Sequence, residues 1–289
     1  MTAAELELRN RVTVEGDGPA TLLFAHGFGC DQSMWRFLRP HYAGRFRTIA
    51  YDLTGSGGSA LAAYDRERYG TLQGHADDMV AIAREFGRGP VVVVGHSVSA
   101  MIGALAGIAA PELFAAHAMI GPSPCYIDDP ATGYVGGFGR ADIESLLETL
   151  EGNYLGWSST MAPAIMGAPD RPELGAELVN SFCRTDPDIA AHFARVTFLS
   201  DNRADLPKLA APALVVQCDD DIIAPACVGD YLVRTLPDAT LAVRFEFARD
   251  PLSASARCTF FSSSRVFSSY SIDTIATWAI TSPRSDFHW

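Results

Sequence analysis

Ser97 lies in the sequence Gly95-His96-Ser97-Val98-Ser99, directly after four consecutive valines at 91–94. The valines predict a buried strand, and the apolar residues 100–105 predict a helix after the motif. A serine at a sharp turn between strand and helix is a nucleophile elbow, which exposes the hydroxyl above the strand end. The N-terminus of the helix offers backbone N–H groups to a developing oxyanion. The motif therefore predicts acyl transfer through Ser97.

A serine hydroxyl is a weak nucleophile, so this chemistry needs an oxyanion hole, a base and a group that orients the base. The loop His26-Gly27-Phe28-Gly29 follows a predicted strand at 21–25. We predict that the backbone N–H groups of Phe28 and Val98 converge there on the substrate oxygen, as they do in hydrolases with such an elbow.

Asp221 is the predicted acid, because it follows a predicted strand at 213–217 and precedes a predicted helix at 225–236. An acid that comes after the serine in the chain matches the order of this class of triad. By residue type alone, Asp219 and Asp220 compete for the role. Helix capping is the alternative interpretation for all three carboxylates.

The catalytic base is harder to assign from the sequence than the nucleophile or the acid. His26 and His96 are predicted to support the loop and the elbow, since a base must reach the proton of the nucleophile in the right geometry. After His192 the next histidine is His288, beside the C-terminus. His288 is therefore the remaining candidate, although chain ends are commonly solvated.

Composition narrows the function further. The chain has 289 residues, 48% of them hydrophobic, and a formal net charge of −12. This predicts a folded α/β protein and argues against nucleic acid or anionic membranes as partners. No apolar leader and no run of membrane-spanning length is present, so we expect a cytoplasmic protein. The six cysteines form no CxxC pair, which predicts buried free thiols rather than a disulfide framework, and no metal site or cofactor is expected.

The order of predicted elements indicates the fold class. Solid apolar runs predict strands at 6–14, 21–25, 47–51, 91–94, 117–120, 213–217 and 240–245, the first two as an antiparallel hairpin. Helices are predicted at 73–85, 99–109 and 225–236, with a closing helix around 272–279. Blocks of this kind are typical of a mostly parallel sheet with helices on both faces.

Between residues 122 and 209 the strand pattern stops. Three helices are predicted there, at 142–150, 172–182 and 187–199, with starts near Asp or Pro. We interpret residues 122–209 as a helical cap over the active end of the sheet. Residues 1–121 and 210–289 then form the core. We expect the cap to cover a pocket lined by Phe28, Val98, Trp157 and Phe193. The glycine-rich loop 55–59 is interpreted as structural.

Several motifs together resemble one known family. They are His26-Gly27-Phe28-Gly29, Gln32-Ser33-Met34-Trp35, Tyr51-Asp52-Leu53, the elbow with Ser99 in place of a glycine, residues 185–190, and Asp221 through Pro225. The chain resembles RsbQ-type α/β-hydrolases, kin to the plant karrikin and strigolactone receptors, over residues 1 to about 243. The resemblance implies the α/β-hydrolase fold, Ser97 as nucleophile, Asp221 as acid, and a helical cap over a small apolar pocket. It also implies a small ester or lactone as substrate and, in several members, a signalling protein as partner.

The resemblance breaks near residue 249. The family carries a Gly-His-x-Pro segment with the catalytic histidine, where this chain reads Ala248-Arg249-Asp250-Pro251. Arginine stays protonated and cannot act as a general base. A shift of reading frame in the coding sequence would produce such an abrupt change, and a Gly-His-x-Pro segment in another frame would reveal it.

Two functions follow from this sequence. The first is a serine hydrolase of carboxylesterase or lactonase type that works through an acyl-enzyme. The second is a catalytically impaired relative that binds a ligand or regulates a signalling partner. Other reactions of the same scaffold are disfavoured; a haloalkane dehalogenase, for example, would carry Asp at the elbow rather than Ser97.

Overall fold

A computed structural model describes residues 2–218 and 220–242 of the chain. Within these residues a seven-stranded sheet has the order β1-β3-β2-β4-β5-β6-β7. Its strands are β1 Thr13–Glu15, β2 Thr21–Ala25, β3 Arg47–Tyr51, β4 Val91–His96, β5 Phe114–Ile120, β6 Ala213–Val216 and β7 Ala239–Ala242. The pair β1–β3 is antiparallel and the others are parallel. The predicted α/β-hydrolase architecture, a mostly parallel sheet, is confirmed.

The register brings the carboxyl ends of the central strands to one edge. Ala25 lies opposite Gly95, the last residue but one of β4. His96 lies opposite Ile120, and Ile120 opposite Val216. Loops that leave β2, β4, β5 and β6 therefore start close together, which is where ligands bind in open parallel sheets.

Helices cover both faces of the sheet. The described helices are α1 Ala3–Asn10, α2 Arg39–Tyr42, α3 Gln73–Phe86, α4 Val98–Ala109, α5 Arg140–Gly152, α6 Tyr154–Met166, α7 Pro172–Phe182, α8 Pro187–Phe198 and α9 Ala226–Thr235. Leu23 and Val93 face a core shared with α1, α3, α4 and α9. Leu22 and Val92 face the other core, shared with α2 and with α5 to α8. Strands buried on both faces explain the solid apolar blocks in the sequence.

The beginning of the chain corrects one prediction. Residues 6–14 were predicted as a strand paired with β2, but residues 3–10 form α1, and the short β1 pairs with β3. Thr2 and Glu5 form a capping box that starts α1. Leu6 and Asn10, one helical turn apart, are its buried residues. The alternation of apolar and charged residues at 5–9 imitated a strand.

The segment between β5 and β6 contains four α-helices, where three were predicted, and a short 3-10 helix at Leu206–Lys208. The predicted helices 142–150, 172–182 and 187–199 correspond to α5, α7 and α8, whereas α6 was missed. Pro163 lies inside α6 and disguised it in the sequence, because proline is rarely found in a helix interior. The predicted strand at 240–245 is described only as far as Ala242, and the predicted helix at 272–279 lies outside the described residues.

The thiols follow the prediction in part. Cys30 and Cys125 are free and buried, but Cys183 and Cys227 are free and exposed. Cys218 does not carry a free thiol, which corrects the prediction at that position. No helix among the described residues is long and apolar enough to cross a membrane.

Candidate active site

Ser97 occupies a sharp turn between β4 and α4. Its backbone has φ +54° and ψ −124°, a left-handed conformation that is unfavourable for a residue with a side chain. The Ser97 N–H donates to the Ile120 carbonyl at the end of β5, at 2.8 Å. A Cβ on Gly95 would lie 2.5 Å from the Ser99 carbonyl oxygen. The turn therefore requires glycine at 95, and it has the geometry of the predicted nucleophile elbow.

The loop after β2 packs directly on this elbow. The Ser99 hydroxyl donates a hydrogen bond to the His26 carbonyl, which explains a serine at that place in the motif. A Cβ on Gly27 would approach His96 Nδ1 to 2.5 Å and Ser97 Cβ to 3.3 Å. Only a glycine fits between loop and elbow, and the next residue, Phe28, lines the same cavity as Ser97.

The two backbone N–H groups predicted to form the oxyanion hole are available to a ligand. No hydrogen bond among the described residues occupies the backbone N–H of Phe28 or that of Val98, the first residue of α4. The Val98 N–H, at the start of α4, is suited to stabilise negative charge, because the first N–H groups of a helix lack partners within the helix.

His26 has a structural position, as predicted. Its Nε2 accepts a hydrogen bond from the Leu53 N–H at 2.9 Å, and its Nδ1 lies 2.8 Å from the Gly27 carbonyl. These two partners select the tautomer with the proton on Nδ1. Burial lowers the pKa of His26, so the ring remains neutral and joins the loop to the end of β3.

Asp221 lies in the loop after β6, close to Gly121 at the end of β5. Its Oδ1 accepts hydrogen bonds from the Ile223 N–H at 2.8 Å and the Ala224 N–H at 3.1 Å. Burial raises the pKa of this carboxyl, and the two backbone donors partly offset the effect. A Cβ on Gly121 would lie 3.5 Å from Oδ2. Of the competing carboxylates, Asp220 is exposed, and Asp219 lies outside the described residues.

Ser97 and Asp221 line one cavity of about 110 Å³. Tyr126, which the sequence analysis did not single out, also lines it. Burial raises the pKa of Tyr126 to about 12, so its phenol is protonated at neutral pH. Tyr126 follows β5, and its position at the carboxyl edge of a parallel sheet was the available signal.

The rest of the cavity wall is mostly apolar and comes from the helices between β5 and β6. It includes Leu146, Trp157, Met161, Leu178, Phe182 and Phe198. Phe28 packs against four rings of these helices, with centroid distances between 5.8 and 6.2 Å. Phe28 and Trp157 line the cavity as predicted, but Phe193 and the Val98 side chain pack in the core behind it.

Two further groups of the wall have shifted pKa values. Burial raises the pKa of Cys30 to about 12, so its thiol is not a nucleophile at neutral pH. His96 is the one histidine among the described wall residues, and burial lowers its pKa to about 4. A group with such a low pKa is a poor acceptor for a serine proton. Arg249 and His288 lie outside the described residues.

In the described ranges, no group of three or more His, Cys, Asp or Glu side chains could hold a metal ion.

The sharp turn at Ser97, between a buried strand and a helix, is the arrangement of the nucleophile elbow in α/β-hydrolases. Residues 22–255 match the model of the Alpha/beta hydrolase family. The chain belongs to this family.

Proteins similar to this chain include a receptor, an esterase and a hydrolase of solved structure. The chain is 38% identical over 235 residues to the "Karrikin insensitive 2 receptor CA" of Petunia hybrida, covering 80% of this chain and 85% of the relative. It is 38% identical over 221 residues to the "Strigolactone esterase D14" of Arabidopsis thaliana, covering 76% and 82%. The structure of a hydrolase from Oleispira antarctica superposes with a TM-score of 0.80 at 40% identity, covering 84% of this chain and 88% of that chain. The predicted kinship with karrikin and strigolactone receptors is confirmed.

Proposed function

We propose that this α/β-hydrolase is a serine carboxylic-ester hydrolase for small esters or lactones. The observation that carries the proposal is the Ser97 hydroxyl, held at a left-handed turn in the wall of a small apolar cavity that also contains Asp221. Backbone strain of this kind clusters at functional sites. An apolar cavity of about 150 Å³ accommodates a benzene ring, so a cavity of about 110 Å³ suits a substrate with one small ring or a short acyl chain.

In the proposed reaction, Ser97 Oγ attacks the acyl carbon and the substrate oxygen takes up the negative charge. The N–H groups of Phe28 and Val98 stabilise this oxyanion. The alcohol leaves, or the lactone ring opens, and Ser97 is left as an acyl ester. Water then attacks the acyl carbon and releases the acid, which restores the serine. Asp221 orients the base that removes and returns the proton, and we propose His288 as that base.

The four helices α5 to α8 act in this proposal as a cap. They supply most of the apolar wall, and they contact the loop of the oxyanion hole through Phe28. A wall of this kind keeps bulk water from the acyl-enzyme except through its mouth. We place residues 122–209 in the cap, and residues 1–121 and 210–289 in the core, of a cytoplasmic protein.

A second candidate function is ligand binding by a catalytically impaired relative, with a signalling protein as partner. The observation that favours it is that, of the described histidines, only His96 lines the cavity, and its pKa of about 4 makes it a poor base. Loss of one triad member lowers turnover by a factor of about 10⁴ but leaves binding and the oxyanion hole. Arg249→His discriminates the two, because it places the family's base in its usual sequence position and is expected to raise turnover only if a base is missing.

The first test is a time course of p-nitrophenyl acetate hydrolysis by the full chain, with Ser97→Ala as control. We expect continuous release of p-nitrophenol that Ser97→Ala abolishes. A single stoichiometric burst would favour the second candidate, because it shows acylation without deacylation. Product release at the same rate in Ser97→Ala would reject Ser97 as nucleophile.

A companion measurement uses His288→Gln under the same conditions. Loss of steady turnover with a preserved burst supports His288 as the base. Unchanged turnover in His288→Gln would assign the proton transfer to another group.

A further inference from the structure

Ser181, near the end of α7, makes a hydrogen bond that leaves its own helix. The hydroxyl donates to the Gly29 carbonyl, in the loop after β2, at 2.8 Å, and the bond is buried. Serines and threonines inside helices commonly donate to the carbonyl four residues earlier. Ser158 and Thr160 on α6 do so, at 2.7 and 3.1 Å. Ser181 instead holds the loop that carries the predicted oxyanion donor Phe28.

The peptide units of this loop continue the bond as far as Phe28. The Gly29 carbonyl shares a planar peptide unit with the Cys30 N–H, and that N–H donates to the Gly27 carbonyl at 3.2 Å. The Gly27 carbonyl in turn shares a peptide unit with the Phe28 N–H. A chain of two hydrogen bonds and two peptide units therefore runs from the Ser181 hydroxyl to the Phe28 N–H.

This chain sets the direction and the strength of the Phe28 N–H as a donor. No peptide bond among the described residues is cis, so each N–H points opposite to the carbonyl of its peptide unit. The Gly27 carbonyl is held by the Cys30 N–H and, at 2.8 Å, by Nδ1 of His26. The Phe28 N–H consequently points away from both donors. Hydrogen bonds in series also strengthen one another, by roughly 10–30% per bond, which makes the last N–H a better donor.

The end of α7 also fits the loop sterically. Gly29 has φ +70°, and a Cβ there would collide with the Phe182 ring. The Arg184 guanidinium, which is more than half exposed, pairs with Asp31 at 2.7 Å. Solvent and salt screen an exposed charge, whereas the bond of the Ser181 hydroxyl is buried. The hydroxyl is thus the polar contact best shielded to hold the loop against α7.

We propose that Ser181 is a positioning residue of the oxyanion hole. Through the two carbonyls of the chain, its hydroxyl holds the Phe28 N–H towards the oxygen that becomes negative when Ser97 attacks. The proposal rests on the proposed function, because it assumes that Ser97 forms this oxyanion. It makes turnover depend on the position of α7, since displacement of that helix breaks the bond to Gly29 and weakens the hole at the other end of the chain.

The first test compares Ser181→Ala with Ser158→Ala in p-nitrophenyl acetate hydrolysis by the full chain. Ser158 is the matched control, because its buried hydroxyl bonds within its own helix. We expect Ser181→Ala to lower kcat by roughly tenfold, less than the factor of about 10²–10³ lost with a whole oxyanion donor. KM is expected to change little, because the hole serves acylation and deacylation alike. Ser158→Ala is expected to retain the wild-type kcat, and an unchanged kcat in Ser181→Ala would overturn the proposal.

A second readout separates the oxyanion hole from the shape of the cavity. With 1,1,1-trifluorobutan-2-one, Ser97 Oγ bonds to the carbonyl carbon, the π electrons pass to the oxygen, and the serine proton moves to the base. Butan-2-one is not activated in this way and probes the cavity alone. In Ser181→Ala we expect the inhibition constant of the trifluoroketone to rise by about the factor by which kcat falls, and that of butan-2-one to stay unchanged. An equal rise for both ketones would overturn the proposal, because it would show that Ser181 only shapes the cavity.

A third measurement does not depend on turnover. The amide resonances of Phe28 and Cys30 in the ¹⁵N-labelled full chain report on the two peptide units, because a bond to a carbonyl polarises the N–H of the same unit. We expect both resonances to move in Ser181→Ala and not in Ser158→Ala. If the ester is not hydrolysed but both resonances move, the proposed function fails while the coupling of α7 to the loop stands. Unmoved resonances in Ser181→Ala would overturn that coupling.

Discussion

Ser97 combines a demanding backbone conformation with a position at the end of the central strand β4. A residue with a side chain at φ +54° and ψ −124° is held there by its surroundings, and the local conformation costs about 1–3 kcal/mol. The hydrogen bond to Ile120 and the packing of Gly27 and Ser99 supply that constraint. Stability and the proposed chemistry therefore compete at this residue.

Replacement of Ser97 by glycine measures this competition. We expect Ser97→Gly to be more stable than Ser97→Ala by about 1 kcal/mol, because glycine adopts a positive φ without strain. Both variants lack the hydroxyl, so the comparison isolates the backbone. Denaturant unfolding provides the measurement, and equal stability of the two variants would mean that the turn is not strained.

Asp221 is a second residue where the fold tolerates an unfavourable group. Because burial raises its pKa, the native state holds the carboxyl proton more tightly than the unfolded chain does. Native stability is then lost as the pH rises from the unfolded pKa of about 3.9 through the higher native value. We expect Asp221→Asn to remove this penalty and to unfold at a higher temperature at pH 7, while hydrolysis that depends on Ser97 falls. A lower unfolding temperature for Asp221→Asn would contradict the expectation that the ionised Asp221 carboxylate destabilises the native state.

Among the elements, α1 is attached to the molecule by a buried carboxylate. Asp78 on α3 accepts hydrogen bonds from Arg9 and Arg68, each at 2.6 Å, and from the hydroxyls of Thr54 and Tyr69. Its side chain is only 2% exposed, so the accepting oxygens are shielded from water. One carboxylate therefore joins α1, α3 and the loop after β3.

Removal of this carboxylate is expected to destabilise the protein strongly. We expect Asp78→Ala to lower the free energy of unfolding by roughly 3 kcal/mol, because two guanidinium groups and two hydroxyls lose their acceptor. Glu112→Ala is the control, since the Glu112–Arg84 pair is exposed on both sides and its loss leaves stability close to wild type. Urea unfolding of both variants tests the expectation, which an equal effect of the two changes would disprove.

The elements also show what could be read from the sequence. The strands β2 to β4 and the helices α3 and α4 were predicted nearly to the residue, because long apolar blocks and helical periodicity dominate there. α1 was missed although the capping box of Thr2 and Glu5 was visible, since the charge alternation at 5–9 suggested a strand. Ser97 and the loop at 26–29 could be recognised from local motifs. Tyr126 and Ser181 could not, because only the tertiary fold brings Tyr126 to the cavity and Ser181 to the loop after β2.

At the scale of the whole molecule, buried histidines couple the fold to pH. His75 and His117 are almost fully buried, and burial lowers the pKa of each to about 4. The unfolded chain binds protons at these sites below pH 6.5, whereas the native state stays neutral until about pH 4. Native stability is therefore full above pH 6.5 and is lost progressively as the pH falls towards 4.

His117→Leu tests this coupling. Each such histidine contributes a slope of about 1.4 kcal/mol per pH unit in this window, so the variant should lose less stability than wild type between pH 6.5 and pH 4. His41→Gln serves as the control, because His41 is exposed. Unfolding free energies at several pH values give the slopes, and an unchanged slope in His117→Leu would exclude it as a source of acid sensitivity.

The place of β4 in the sheet has a consequence for the history of such proteins. Three strands lie on either side of it, so β5 and β6 separate the elbow from β7. A lineage can accumulate insertions, substitutions or a new C-terminal sequence beyond β7 while the serine turn is inherited intact. Sequence changes beyond β7 are therefore separated from the serine turn by two strands of the sheet.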